Sequence, residues 1–283
     1  MRRAALLLLI VAGCQRSGER KIALRYHPPT GAVYHHTFEL HGRVTAPPGL
    51  FGGRTGRSQE TNMRMYSTQT VKGPVADGVE LEIVADSASM TQPTVSADTL
   101  SRYLSEVRGL RNTIVFDDRS QVVRSALTSD PAPGLASQLA YTLQAASFSF
   151  PEQPLGRGDS WTIKAVLPFR EFLANAVSGP DSAETTLTVR EIRIHGGDTV
   201  VVLDVKTAYP TTPLRVLLAG LRASIKFSGD NGGYQEFSIT RGTVIAAEVH
   251  NATTILVTVP TLSLRDDAVK ADSRTTIRLV GMP

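Results

Sequence analysis

Histidines are the residues of this chain best suited to acid–base or metal chemistry, and six are present. Four of them precede or occupy the first predicted strand: His27, His35, His36 and His41. Successive side chains of a strand point to opposite faces, so His35 and His36 cannot ligate one metal ion together. His35 and His41 share a face but lie about 20 Å apart along the strand. No other spacing is typical of a metal site. The sequence therefore predicts exposed or packed histidines, with no metal and no cofactor.

Nucleophilic chemistry has no recognisable motif either. The chain lacks a Gly-x-Ser-x-Gly elbow. Its glycine-rich segment 47–57 lacks the Gly-Lys-Ser/Thr ending of a phosphate loop. Two pairs of adjacent aspartates, at 117–118 and 266–267, fall in turn-like segments, where carboxylates are usually solvated. We therefore expect a protein that is not an enzyme; a dispersed set of catalytic residues is the alternative.

The single cysteine, Cys14, follows the small residues Val11, Ala12 and Gly13. Two arginines open the chain, and the apolar run 4–12 is much shorter than the roughly 20 residues of a membrane-spanning helix. This arrangement resembles the lipobox of bacterial lipoproteins, in which the cysteine thiol receives a diacylglyceryl group and the preceding peptide is removed. The resemblance implies that residues 1–13 are a signal peptide and that Cys14 is a lipid anchor.

A lipid anchor predicts a location in the cell envelope. A mature lipoprotein carries two or three acyl chains, which is enough for stable attachment to a membrane. Gln15, rather than Asp, follows the cysteine, and by analogy with enteric sorting this favours the outer membrane, with the protein facing the periplasm. Because no other cysteine is present, the exported part must fold without disulfides.

Composition argues against nucleic acid as a partner. The chain has 30 Lys and Arg against 26 Asp and Glu, a formal net charge of +4. The basic residues are scattered and form no run with interleaved aromatic residues, so a nucleic-acid interface is not expected. A chain of 283 residues is long enough for one or two domains with an adequate core.

Alternating and turn patterns in the first half predict β-hairpins with a helix between them. Segments 63–71 and 79–85 form one predicted hairpin, and segments 112–116 and 121–126 form another. Ser96 is the expected N-cap of a helix over residues 97–108. A second helix is expected over residues 135–146. The apolar faces of the two helices are formed by Leu100, Tyr103, Leu104 and Val107, and by Leu135, Leu139 and Leu143.

The second half repeats this order of elements. A strand opened by Trp161 is followed by the predicted hairpins 185–194 with 199–207 and 233–239 with 243–250. We therefore expect a β-rich α+β fold of two similar lobes of curved antiparallel sheet, each with an associated helix. Duplication of a half-barrel is one explanation, and chance similarity between two meanders is the other. The expected boundaries are 14–21 for the lipidated cysteine and tether, 22–148 for the N-terminal lobe and 149–283 for the C-terminal lobe.

Residues 150–161 read Phe-Pro-Glu-Gln-Pro-Leu-Gly-Arg-Gly-Asp-Ser-Trp. Together with the repeat, this stretch resembles an uncharacterised family of exported bacterial lipoproteins with Phe-Pro-x-x-Pro and Gly-Asp-x-Trp at mid-chain. The resemblance carries no catalytic residues. The order of hairpins and helices is also similar to half-barrel periplasmic lipoprotein carriers and lipid-binding lipoproteins. In those proteins a curved sheet encloses an apolar hollow, although fold alone does not define function.

Two functional hypotheses follow. The first is a non-enzymatic lipoprotein that binds a hydrophobic ligand or lipid in its concave sheet, lined by the apolar helix faces; ordinary core packing is the alternative role of those faces. The second is a structural or interaction lipoprotein that docks on another envelope protein through exposed strand edges. In either case the membrane is a partner through the N-terminal lipid, and Trp161 is expected to fill the core between the lobes.

Overall fold

The computed structural model describes residues 21–48, 56–127, 149–166, 176–178, 182–218, 221–262 and 264–281. Within these ranges the chain forms thirteen β-strands, one α-helix and a short 3₁₀ turn at Pro260–Leu262. The strands are β1 (Val33–Ala46), β2 (Arg57–Val75), β3 (Gly78–Thr91), β4 (Arg111–Phe116), β5 (Val122–Leu127), β6 (Ser160–Val166), β7 (Ala176–Ser178), β8 (Ser182–His195), β9 (Asp198–Ala208), β10 (Leu214–Leu218), β11 (Leu221–Ser238), β12 (Thr243–Val259) and β13 (Leu264–Gly281), and the helix is α1 (Ala97–Val107).

The described strands make one open antiparallel sheet. Its order is β5-β4-β3-β2-β1-β13-β12-β11-β9-β8-β6, and β10 and β7 extend it beside one end of β11. The last strand, β13, lies between β1 and β12. It therefore joins a first run of five strands (β5 to β1) to a second run of five (β12 to β6).

Local turn chemistry accounts for the hairpins, which confirm the predictions made from the sequence. In the β8–β9 hairpin, His195 pairs with Asp198, so only Gly196 and Gly197 form the loop. Their φ angles are +57° and +81°. Two-residue loops that match the strand twist require positive φ at both positions, which glycine adopts without a steric penalty. The predicted pairings of β2 with β3, β4 with β5, and β11 with β12 are also present.

Helix α1 is present where the sequence predicts it. The Ser96 hydroxyl accepts a hydrogen bond from the Thr99 backbone N–H at 3.3 Å, which caps the first turn. Gly109, with φ of +79°, follows the last turn. Val107 is fully buried and packs in a cluster with Phe38 and Met65 of the sheet. The second predicted helix, with Leu135, Leu139 and Leu143, lies outside the described residues. None of the described helices is long and apolar enough to cross a membrane.

The largest hydrophobic cluster shows that the sheet bends back on itself. It contains Leu81 and Ile114 from the first run and Leu203 from the second, all three fully buried. Strands so far apart in the sheet order can supply one core only if the sheet curves. The face that carries these side chains, called the inner face below, is therefore concave. Two smaller clusters lie on the same face, one beneath α1 and one across β10, β11 and β12.

The C-terminal strand corrects one prediction. The adjacent aspartates at 266–267 were expected in a solvated turn, but both belong to β13, where Asp267 pairs with Val257. The expectation was wrong because it relied on the acidic pair alone and did not include the alternating pattern that follows it. From Val269 to Leu279, small or apolar residues alternate with charged and polar ones, which is typical of a strand with one buried face. β11 and β12 are also longer than predicted.

Candidate functional site

The inner face carries an apolar row that runs across eight strands. Strand register places its members directly opposite one another. In order from β8 to β3 they are Leu187, Val205, Gly233, Val249, Thr275, Leu40, Met63 and Met90, of which Thr275 is the one polar residue. Leu187 and Met63 are buried, whereas Leu40 and Met90 are only half-buried and pack against the cluster beneath α1. The row therefore leaves part of its hydrocarbon surface accessible at the middle of the sheet.

The α1 residues predicted to line a ligand site divide between two environments. Val107 belongs to the packed core. Leu100 and Leu104 are half-buried, and Tyr103 is 37% exposed. The helix therefore buries its C-terminal apolar residue and leaves the other three in partial contact with solvent.

A second row, which we call the polar row, lies next to the apolar row on the inner face. It consists of Thr185, Thr207, Asn231, Asn251 and Ser273, on β8, β9, β11, β12 and β13, directly opposite one another. The Thr185 and Thr207 hydroxyls are 2.9 Å apart, and Asn251 Nδ2 donates to Ser273 Oγ at 3.3 Å. Such a line of polar side chains is unusual in a sheet interior, where alternation normally buries apolar groups.

Three described polar atoms on this face are buried without a partner, and one of them, Nδ2 of Asn112, lies on β4 away from the polar row. Asn231 is 2% exposed; its Oδ1 accepts a hydrogen bond from Thr253 Oγ1 at 3.1 Å, but its Nδ2 has none. Gln235, 5% exposed, has an unpartnered Oε1. Buried polar groups are nearly always hydrogen-bonded, so each exception requires an explanation. Sequence reasoning missed Asn231 because Asp-Asn-Gly-Gly at 230–233 has the composition of a turn, although it lies within β11.

The outer face of the central strands is built from ion pairs. Arg43 pairs with Glu60, Arg64 with Glu39, and Arg274 with Glu248. Hydrogen bonding to Glu39 raises the pKa of the Arg64 guanidinium, and hydrogen bonding to Glu248 does the same for the pKa of Arg274. A shallow depression of ≈ 420 Å³ here is lined by both acidic and basic groups, among them Glu60, Asp272, Arg43 and Arg274. This face is a solvated, charge-balanced surface.

His41 and His250 lie on either side of Arg274 and line the same depression on the outer face. His41 Nδ1 lies 2.8 Å from Asn62 Oδ1 on the outer face, and His35 is exposed about 20 Å away along the same strand.

His36 points to the inner face, where its Nε2 lies 3.1 Å from the Val244 carbonyl oxygen. Burial lowers the pKa of His36. In the part of the chain that the structure describes, no group of three His, Cys, Asp or Glu side chains could hold a metal ion.

The mid-chain motif has a structural role. Asp159 Oδ2 accepts hydrogen bonds from the Gly156 backbone N–H at 2.9 Å and from Lys21 Nζ at 3.1 Å. The bond from Gly156, followed by that from Lys21, lowers the pKa of Asp159. Phe150 is buried against Phe237 with their ring centroids 4.9 Å apart. The motif thus holds the N-terminal segment against the core.

Trp161 of the same motif lies at the sheet edge. Its ring packs, half-buried, against the largest cluster, and its Nε1 donates to the Ser149 carbonyl at 2.8 Å. Trp161 is therefore a packing residue with a satisfied indole N–H. Near the N-terminus, Cys14 and the residues that resemble a lipobox, Val11, Ala12 and Gly13, lie outside the described residues.

Comparisons with known proteins define the fold only. No protein-family model and no curated protein sequence matches the chain. A solved structure of lipid–protein interactions in lipovitellin matches with a TM-score of 0.51 and 12% sequence identity, over 91% of this chain and 26% of the lipovitellin chain. The chain therefore spans only a minor part of that protein. At this identity the match shows a shared fold, a large open antiparallel sheet.

Two further structures match more weakly. DynF, from the dynemicin biosynthesis pathway of Micromonospora chersina, has a TM-score of 0.22 and 8% identity over 95% of this chain and 92% of its own. An outer membrane channel from Pseudomonas putida F1 has a TM-score of 0.21 and 9% identity over 90% and 97%. Scores this low carry no argument about this protein.

Proposed function

We propose that this chain is a non-enzymatic lipoprotein that binds a hydrophobic ligand or lipid on the inner face of its sheet. In this proposal the lipidated Cys14 anchors it in the outer membrane, facing the periplasm, and residues 150–161 mark membership of the exported lipoprotein family. The observation that carries the proposal is the apolar row, which continues across a concave face and remains partly accessible at Leu40 and Met90. Burying such a surface beneath an acyl chain is favourable by about 25 cal/mol per Å².

The likeness to lipovitellin supports this ligand class. The matching structure concerns lipid–protein interactions, and this chain has the same sheet architecture over nearly its whole length. On the outer face, the described central strands carry ion pairs instead of an apolar row. An apolar molecule would therefore be held on the inner face.

The proposal includes a duplicated half-barrel. Each run contains five strands in meander order, with an extra element between the third and the fourth strand: α1 in the first run and β10 in the second. The second run has a further short strand, β7, between its first and second strands. Equal strand number and equivalent insertion points support an origin by duplication. The extra elements differ in type, so the two runs would have diverged at that position.

Lipid co-purification tests the proposal. The chain from residue 15 onward is purified from the periplasm without detergent and analysed by native mass spectrometry, with extraction of any bound lipid. We expect a stoichiometric apolar molecule. The variant Ile277→Gln places a polar group on the inner face of β13, where Ile277 packs beside Phe38, and should lose that molecule.

The matched control is Val280→Gln on the same strand. Val280 is 56% exposed and has no opposite residue on β1, because the register shifts between His35 and His36. This control should retain the ligand. An empty wild-type protein that is correctly folded, or equal loss from both variants, would contradict the proposal.

A docking lipoprotein is the second candidate, favoured by the open edges of the sheet. In the described ranges β5 and β6 each pair with one neighbour only. On β5, Val123 is 48% exposed, and an exposed edge can receive a strand from a partner. Crosslinking at position 124, followed by identification of one specific envelope protein, would support this candidate. A failure to recover any specific partner would count against it.

A further inference from the structure

The polar row divides the inner face into two apolar regions. Along β11, Phe237 belongs to the largest cluster, and Ile225 belongs to the cluster across β10, β11 and β12; Asn231 lies between them. The same change occurs along β9, where Val201, Leu203 and Val205 lie in the largest cluster and are followed by Thr207. Polar groups in this position interrupt what would otherwise be one continuous core.

Hydrogen bonding within and beside the row leaves the amide nitrogen of Asn231, Nδ2, without a partner. Tyr209 OH lies 3.1 Å from Thr253 Oγ1, and Thr253 donates to Asn231 Oδ1 at 3.1 Å. This chain of bonds fixes the orientation of the Asn231 amide, with its oxygen occupied. The opposite end of the same amide, Nδ2, carries two N–H donors and has no partner. An unpaired buried donor is destabilising, and a bound acceptor would remove that cost.

The surroundings select a neutral acceptor. None of the five residues of the polar row is charged, and neither are their inner-face neighbours on the apolar row. On the other flank, Ala183, Gly229, Thr253 and Ala271 are neutral as well. A carboxylate or phosphate buried here would have no cationic partner, and desolvating it would be costly. A carbonyl oxygen of an ester would not incur that cost.

The two rows together match the shape of an ester-linked acyl chain. Inner-face positions two residues apart along a strand are separated by roughly 6.6 Å, so the apolar row runs alongside the polar row at that distance. Gly233, next to Asn231 on the inner side of β11, presents no side chain between them. An acyl chain with its carbonyl at Asn231 can therefore run across Val249 and Thr275 to Leu40, which lies three strands and roughly 14 Å away.

We propose that the polar row recognises a neutral, ester-linked acyl lipid, with Asn231 Nδ2 donating a hydrogen bond to the ester carbonyl oxygen. This inference rests on the proposed function and adds to it the chemical class of the ligand. It distinguishes acyl esters from free fatty acids, which carry a charge at neutral pH, and from hydrocarbon chains that lack a carbonyl.

The test compares three ligands of equal chain length: 1-lauroylglycerol, its ether analogue 1-dodecylglycerol, and laurate. Equilibrium binding of each radiolabelled ligand is measured on the mature lipidated protein held in nanodiscs, with empty nanodiscs as the blank. We expect the ester to bind roughly fivefold to tenfold more tightly than the ether, the ratio that one buried neutral hydrogen bond provides. Laurate at neutral pH should bind more weakly than the ester.

The variant Asn231→Leu removes both amide donors at similar volume and should make ester and ether affinities equal, leaving that of the ether unchanged. The matched control is Asn112→Leu. Asn112 is likewise buried with an unpartnered Nδ2, but it lies on β4, outside the polar row. This control should preserve the ester preference.

The outcomes separate the inference from the function on which it rests. Equal binding of ester and ether by the wild-type protein would overturn the role of Asn231 while leaving an apolar ligand site intact. Binding of none of the three would overturn both. The wild-type comparison needs no variant, so it decides the question even where Asn231→Leu fails to fold.

Discussion

The ring of Tyr26 lies against the ring of Phe116, with 5.1 Å between their centroids and 53° between their planes. Tyr26 precedes the first strand, and Phe116 ends β4 in the first run. On its other side Tyr26 faces Phe237 of β11, with the ring centroids 6.5 Å apart. Tyr26 therefore bridges the two runs of the curved sheet, and its 4% exposure shows that the bridge lies inside the core.

Removing this bridge should destabilise the protein strongly. Truncation of a buried aromatic ring costs about 3–5 kcal/mol, through lost transfer free energy and the cavity left behind. We expect Tyr26→Ala to lower the free energy of unfolding by that amount in urea titrations. Tyr66→Ala is the control, because Tyr66 is 42% exposed and its loss should cost less than about 1 kcal/mol. Similar losses for the two variants would show that Tyr26 does not join the two runs.

Stability should depend on pH through His36. Burial holds the pKa of His36 below its ordinary value of 6.5, so between the folded-state pKa and 6.5 the unfolded chain binds more protons than the folded chain. Above about pH 6.5, His36 should make no pH-dependent contribution to the free energy of unfolding. As the pH falls from 6.5 to the folded-state pKa of His36, the free energy of unfolding should decrease. Urea titrations between pH 8 and pH 5 measure this change.

His36→Gln provides the control for this pH dependence. A glutamine amide can still donate to the Val244 carbonyl but does not titrate, so the variant should lose the decrease below pH 6.5. Two carboxyl groups also have lowered pKa values: Glu82, hydrogen-bonded to Lys72, and Asp159, which accepts a hydrogen bond from the Gly156 N–H. These two groups change the stability only below the ordinary carboxyl pKa, which is near 4. Their effects therefore fall outside the measured range. An unchanged slope in the variant would assign the pH dependence to another group.

Close approach of β11 and β12 requires glycine at position 233. A Cβ added to Gly233 would lie 1.9 Å from the Glu248 carbonyl oxygen and 2.8 Å from Val249 Cα. Backbone atoms of a central strand cannot move aside cheaply, so Gly233→Ala should cost more than about 1 kcal/mol. Gly281→Ala, where nothing lies within 4 Å of the added Cβ, should change stability by less than about 0.5 kcal/mol. Thermal unfolding of the two variants measures the difference.

Lipidation at Cys14 predicts how the protein fractionates. Wild-type protein should incorporate labelled palmitate and sediment with membranes, because two or more acyl chains anchor stably. Cys14→Ser removes the only thiol in the chain and should abolish labelling. If neither the wild-type protein nor Cys14→Ser incorporates palmitate, the prediction of a lipid anchor is wrong, whether or not the proteins sediment with membranes.

Local chemistry explains which elements could be predicted. Two glycines with positive φ define the β8–β9 turn, and a serine cap with a 3.6-residue apolar period defines α1. Each signal lies within a few residues of the element that it forms. The extent of β11 and the whole of β13 escaped prediction, because glycines, asparagines and adjacent aspartates are typical of turns when read without their strand partners.

The candidate site likewise combines features that local sequence predicts with features that depend on distant strand pairings. The sequence by itself determined the hairpins, the helix, the absence of a recognisable catalytic motif and the expectation of a lipid anchor at Cys14, because each depends on residues close together in the chain. Only the tertiary structure decided that β13 joins the two runs and that Asn231 is buried beside Thr253 with one donor unpaired. The reason is that strand register and sheet curvature are set by pairings between residues far apart in the sequence, and these pairings determine which side chains share the inner face.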